Sequence, residues 1–212
     1  MNDVEFYQKI IDPGFRFGDV IKGFISATPN VSNPPINSDN TDYSIEISMS
    51  YCAIISPCCS IKDKVISLSP LLHINKNIFT TPYFREDLTR INQIALPGKS
   101  IPPRAFEKML PEKKAEILSM SPRYAFLNLF IYKEHDLFHE YPIRLKDADH
   151  FNTRYYAIDF RNTFRVNCSK IENPTNVPPG LKCLQLTIDT RNVLRDKITH
   201  YYGRPPEEDI ID

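Results

Sequence analysis

Three groups of residues in this chain have chemistry to offer: adjacent cysteines, two histidines four positions apart, and an aspartate–arginine couple. Cys58 and Cys59 stand in Ser56-Pro57-Cys58-Cys59-Ser60-Ile61. A thiol becomes a nucleophile when a cation, an imidazole or a helix N-terminus lowers its pKa. Lys62 and Lys64 are close in sequence, which makes Cys59 a candidate thiolate. The plainer reading is a small apolar residue buried at a strand end, and neighbouring cysteines rarely join each other because the bridge is strained. His135 and His139 lie in the run Lys133 to Glu140, with Glu134 and Asp136 beside them. On a helix they would share a face and suit a metal ion. The segment reads instead as the continuation of a strand that breaks before Pro142, with no third ligand at a diagnostic spacing. Cys52, Cys168 and Cys183 form no C-x-x-C pair, so neither a metal nor a cofactor is expected. Asp159 and Arg161, two apart on an expected strand, share a face. Together with His135 they would make a polar cluster able to move a proton and steady a phosphate; the simpler reading is an ion pair that sets strand register.

The elements that must position these groups are short. Val4, Tyr7 and Ile11 suggest a helix over 3–11, ended by Asp12-Pro13-Gly14. A first strand is expected over 15–27 and an exposed loop over 29–42, where Asn, Ser and Pro dominate. Tyr43, Ile45, Ile47, Met49 and Tyr51 alternate with polar residues, the pattern of a half-buried strand, and Cys52–Ile55 is apolar on both faces. Another strand covers 65–72, with Pro70 marking its end or an edge. Helices are expected over 84–96, over 103–109 behind a first-turn proline, and from Pro111 to Met120. Strands follow over 124–132, over 155–166 with a break at Arg161-Asn162, and over 181–188. Asp189 or Thr190 is expected to cap a last helix through Tyr202, stopped by Gly203 and Pro205. Arg191, Arg195, Lys197 and Arg204 give that helix a basic flank beside Tyr201 and Tyr202. It reads as a solvated face with cations near the C-terminus. The acidic run Glu207-Glu208-Asp209 opposes nucleic acid there.

Composition bounds the classes. The chain has 212 residues, 26 basic and 26 acidic, for zero formal charge, which argues against a broad nonspecific nucleic-acid surface. With 42% hydrophobic and 25% charged residues it has the balance of a globular protein. No apolar run approaches the roughly 20 residues that span a bilayer, and the N-terminus lacks the basic region of a secretory signal. A cytoplasmic protein is expected, with no membrane partner. Its five cysteines, odd in number and irregularly spaced, fit reduced thiols. Eighteen prolines against six glycines cut the chain into short elements. The order of elements implies an α+β fold with a largely antiparallel sheet, and short bent strands imply a small barrel. One domain over 1–212 is expected, with barrel strands at about 15–72 and 124–188, a helical insertion at about 84–120 and a C-terminal helix at about 190–203.

Gly18-Asp19-Val20-Ile21, Tyr51-Cys52-Ala53-Ile54-Ile55-Ser56 and Val65-Ile66-Ser67-Leu68-Ser69-Pro70 together resemble the core of PemK/MazF-like proteins. That resemblance implies an SH3-like antiparallel barrel, whose toxin members are ribonucleases. Those enzymes place an arginine before the buried strand and a Ser/Thr at the end of the next. Here Ser50 and Leu71 or Leu72 stand at those places, which leaves no cation for the transition state. A closer resemblance, over most of the chain, is to bacterial proteins without an assigned activity. Their marks are a Ser-x-x-Cys-Asp-Ile signature, a Tyr-x-x-His segment, an Asp-Phe-Arg strand and a helix ending Gly-Arg-Pro. The counterparts here are Ser56 to Ile61, with Ser60 in place of Asp, Tyr132 to His135, Asp159-Phe160-Arg161 and Gly203-Arg204-Pro205. This resemblance implies a link to prokaryotic defence, CRISPR accessory genes included.

Two functions follow as expectations. One is a non-enzymatic, protein-binding accessory protein on a degenerate barrel of this kind. The alternative is an RNA-cleaving endoribonuclease in which His135, Asp159 and Arg161 replace the missing groups. A thiol sensor at Cys59 is a third.

Overall fold

The computed structural model describes residues 5–30, 44–56, 65–80, 82–93, 108–120, 126–145, 150–167 and 182–203. Strands β1 (Val20–Asn30), β2 (Ser44–Ile54), β3 (Val65–Pro70), β9 (Phe164–Asn167) and β10 (Lys182–Leu184) form an antiparallel sheet. Its order is β10-β1-β2-β3-β9. Strands β4 (Leu72–His73), β5 (Leu129–Tyr132) and β8 (Tyr156–Asp159) make a second sheet in the order β4-β8-β5. A separate ladder joins β6 (Tyr141–Arg144) to β7 (His150–Thr153). Three helices, α1 (Pro82–Arg85), α2 (Pro111–Met120) and α3 (Ile188–Tyr202), accompany 3₁₀ turns at Lys76–Thr80 and Leu88–Asn92. The architecture is α+β with antiparallel sheets. Among the described residues none of the sheets closes into a barrel; the largest ends at β10 and at β9.

Alternation along the central strands explains why both faces of the large sheet are buried around Val20–Ile21, Tyr51–Ile54 and Ile66–Leu68. Val20, Tyr51 and Ala53 face the main core, while Ile21, Cys52, Ile54, Ile66 and Leu68 pack on the other side with Phe15. The apolar-on-both-faces run at Cys52–Ile54 is fully buried, as its composition demands.

The two larger sheets meet at one bent ladder. β3 runs into β4 and β8 runs into β9, and each strand pairs with the other's continuation. Leu68 pairs with Phe164 and Leu72 with Ala157, so three residues (69–71) are bridged on one side and six (158–163) on the other. Pro70 lacks the N–H that would extend the ladder, and Leu71 N–H turns to the Tyr51 carbonyl instead (2.8 Å). The surplus on the opposite side bulges out as the turn Asp159–Thr163, a strand-switching corner.

Tyrosine hydroxyls pin the loops. Tyr7, Tyr51 and Tyr156 donate to the carbonyls of Lys133 (2.6 Å), Leu137 (2.6 Å) and His139 (3.0 Å), fixing the 133–139 loop at three points.

The structure departs from the sequence expectations at several elements. The N-terminal segment is not a helix in its described part; Tyr7 bridges Leu186 in antiparallel fashion, and Gln8 N–H donates to the Gln185 carbonyl (2.8 Å). β1 begins at Val20 because Gly18, at φ +85°, breaks the approach; a Cβ there would lie 2.6 Å from Leu186 Cδ1. The helix expected over 84–96 is split, since the Asp87 carboxylate takes the Thr89 N–H (2.9 Å) and restarts the chain as a 3₁₀ turn. β5 begins at Leu129, and the last strand stops at Leu184. Thr187, not Asp189 or Thr190, caps α3, accepting from Thr190 N–H, while Gly203 ends the helix as expected. The loop at 31–42, most of the helix at 103–109 and the Cys58–Cys59 segment lie outside the described residues.

Candidate functional site

Asp159 closes β8 and Arg161 sits in the turn beyond it, so the two do not share a strand face as their spacing suggested. They form a local clamp. Arg161 Nε donates to Oδ1 (3.0 Å) and lies 3.1 Å from Oδ2, Nη2 donates to Oδ2 (2.7 Å), and the Arg161 N–H donates to Oδ1 (3.0 Å). Burial pushes the Asp159 carboxyl up, but Arg161's side-chain and backbone hydrogen bonds, with Asn128, outweigh it and hold the pKa below the ordinary value. The turn is tied down from three directions. Asn162 N–H returns to the Asp159 carbonyl (2.8 Å), and Phe160 N–H reaches the Asn128 carbonyl (2.8 Å). Ser69 Oγ donates to the Asn162 carbonyl (3.0 Å), and Tyr202 Oη to that of Phe160.

Beside this turn lies a hollow of about 310 Å³ lined by Ile55, Ser67, Phe160, Thr163, Phe164, Arg165, Ile198 and Tyr202. Segments remote in sequence meet here: the end of β2, where the Ser56–Ile61 signature begins, the Asp-Phe-Arg turn, and the C-terminus of α3 next to Gly203. Of the four segments that carried the closer resemblance, the Asp-Phe-Arg turn lines the hollow through Phe160, and two lining residues, Ile55 and Tyr202, immediately precede Ser56 and Gly203 in the chain. Arg165, exposed on β9, was not foreseen as a site residue; only its place in TFRV, behind the Arg161-Asn162 break, signalled it.

His135 is elsewhere. β5 and β8 pair Leu129 with Asp159 and Tyr132 with Tyr156, and His135 follows Tyr132. The imidazole is thus carried off the opposite end of the ladder from Asp159, with about 10 Å of paired strand between those ends. Its ring meets Tyr7 edge-on at 5.2 Å, and Nδ1 accepts the Leu137 N–H (3.2 Å). The expected cluster of His135, Asp159 and Arg161 is not assembled. His139 sits by the Tyr51 ring (5.6 Å) in a tied loop rather than on a helix face. Among the described residues no group of three His, Cys, Asp or Glu could hold a metal ion. Cys59, with Cys58, lies outside them; Cys52 is a buried thiol, and burial raises the pKa of half-buried Cys183.

The basic flank of α3 is solvated only in part: Arg195 is exposed, Arg191 is half-buried, and Arg204 lies outside the described residues. Lys197 is fully buried, with Nζ donating to the Ile91 carbonyl, and desolvation lowers its pKa to about 7. Arg191 Nη2 donates to the Leu186 carbonyl (3.0 Å), and the Arg195 guanidinium lies over Phe17 at 6.0 Å. A second charged centre, also missed in sequence, joins the N-terminal segment to β10. Lys182 Nζ pairs with Asp19 Oδ2 (2.7 Å) and donates to the carbonyls of Asp12 (3.0 Å) and Gly14 (2.5 Å). Burial pushes Asp19 up to about 6 against the pull of Lys182 and the Arg16 N–H. Sealed from solvent, this centre acts as a lock between segments.

No family model, curated protein or solved structure matches the chain. No helix among the described residues is long and apolar enough to cross a membrane.

Proposed function

We propose that this chain is a non-enzymatic binding protein that docks a protein partner at the sheet corner. The observation that carries the reading is the state of the groups a nuclease would need. Arg161 is clamped onto Asp159 within its own turn, and His135 is packed on Tyr7 at the far end of the ladder. An endoribonuclease using those three residues together finds no support in that placement, because general base and cation must converge on one phosphate. The half-apolar hollow with a cationic rim suits contact with a partner surface instead. A PemK/MazF-like, SH3-like descent of the core is part of the proposal. It is supported by the bent ladder at Pro70–Leu71 and by the resemblance of the GDVI and buried-strand segments. A role in prokaryotic defence rests on the resemblance alone.

Affinity isolation of the tagged full chain from its native host, with mass spectrometry and sizing of the eluate, tests the reading. A stoichiometric complex with one protein is expected. No enriched partner, together with RNA degradation by the purified chain, would overturn it.

A further inference from the structure

The outer strand β9 has hydrogen-bonding groups that no described element uses. Ser67 directs both of its backbone groups toward β2: its carbonyl accepts from Ile55 N–H (2.9 Å), and its N–H donates to Ser56 Oγ (2.6 Å). In an antiparallel ladder, facing residues alternate between pairs that exchange two hydrogen bonds and pairs that exchange none. Ser67 faces Arg165, so theirs is a pair that exchanges none. The Arg165 N–H and C=O therefore point away from β3, off the sheet edge, and β9 is the end of the strand order. The Arg165 side chain stays exposed and lines the same hollow as Ser67, Phe164 and Tyr202.

We propose that β9 receives an extended segment of a partner protein as an added strand, with an aliphatic side chain seated in the hollow and a carboxylate two residues away on Arg165. This rests on the binding reading above and names the partner's chemistry. Strand addition draws affinity from main-chain hydrogen bonds and specificity from alternate side chains. Here the main-chain contribution comes from Arg165 N–H and C=O. The apolar walls are Ile55, Phe164, Ile198 and Tyr202. Charge selects the sequence: the exposed Arg165 guanidinium stands at the rim, while the neighbouring Asp159 is neutralised by Arg161. Among the described residues lining the hollow, an acidic segment meets a cation and no opposing unpaired carboxylate. Residues two apart on a strand share a face, so an Ile-x-Asp pattern presents both groups to the hollow at once.

The probe is a fluorescein-labelled peptide, Ser-Ile-Thr-Asp-Thr-Ile-Ser, titrated with the full chain and followed by fluorescence anisotropy. Saturable binding is expected. A peptide with Lys in place of Asp should bind at least about tenfold more weakly, as should the original peptide to Arg165→Glu. Arg165→Pro removes the outward N–H together with the guanidinium and leaves the bonds to β3 intact, since an outward-facing edge position tolerates proline; it too should weaken binding at least about tenfold. Circular dichroism of both variants should match the parent. Absence of saturable binding at millimolar chain, or equal affinity for parent and both variants, would overturn the proposal. Displacement of the peptide by a tighter-binding single-stranded oligouridine would overturn the protein-segment assignment. A host complex that survives Arg165→Glu would overturn this docking edge while leaving the broader binding reading standing. RNA turnover by the purified chain would defeat that reading by itself.

Discussion

Asp19–Lys182 and Asp159–Arg161 are the same chemistry, a carboxylate with a cation, placed in opposite settings. The first is sealed, with side chains at 0% and 3% exposure; in the second the arginine is 46% exposed. The sealed pair joins β10 to the approach of β1 and carries neighbours with it: Asp12 takes the Gln185 amide (3.0 Å) and the Arg16 Nε (2.5 Å). Burial raises the Asp12 carboxyl, yet Gln185, Arg16 and Lys182 together bring it down to about 2. The open pair spans two residues of one turn, gains little from solvent-screened attraction, and shapes a surface. Burial, rather than residue type, assigns one couple to holding the fold and leaves the other to shape an exposed turn.

The sharpest way to break that contrast is to remove one half of each pair. Lys182→Met should cost about 3–5 kcal/mol in urea unfolding, because it strands the Asp19 carboxylate in the interior. Asp19→Leu combined with Lys182→Met should recover most of that loss; an additive result would mean the two groups are not coupled. Gly18→Ala should cost about 1–3 kcal/mol, since alanine resists a φ of +85° and its Cβ would meet Leu186.

Proton linkage gives a smaller, signed effect. Lys197, lowered to about 7, is neutral in the fold while the unfolded chain stays protonated up to its ordinary pKa near 10.5. The unfolded state therefore binds more protons above pH 7, and stability should rise between pH 7 and 9 by at most about 1.4 kcal/mol per unit. Lys197→Met should remove that slope. Asp19 acts with opposite sign: raised from 3.8 to about 6, it makes the fold bind more protons in that window, so stability should fall as pH rises from 4 to 6. At the open corner, Arg161→Ala should cost no more than about 1 kcal/mol. A larger loss would mean that the corner, too, holds the fold.

Much of the framework was legible in the sequence where alternation is long and uninterrupted. β2 shows this best, since its residues alternate from Ser44 to Tyr51 before entering a run that is apolar on both faces. β6 was hidden by Pro142, which reads as a break although it sits exposed in the ladder opposite Asn152. In α3 the buried stripe Thr190, Leu194 and Lys197 has helical spacing, but a lysine at one of its positions disguised it as a solvated flank. At the candidate site the Asp159–Arg161 pair was readable because it is local. The hollow was not, because it depends on the unequal lengths bridged across the corner and on Ile55 and Tyr202 arriving from opposite ends of the chain. Arg165 could be singled out only once the pairing of β3 with β9 was known.

The direct test of binding against catalysis is RNA turnover by the purified full chain, measured on labelled single-stranded RNA beside Arg161→Ala and His135→Ala. Product no greater than in the protein-free control is expected for all three. Cleavage by the parent that disappears in both variants while their circular dichroism is unchanged would contradict the assignment.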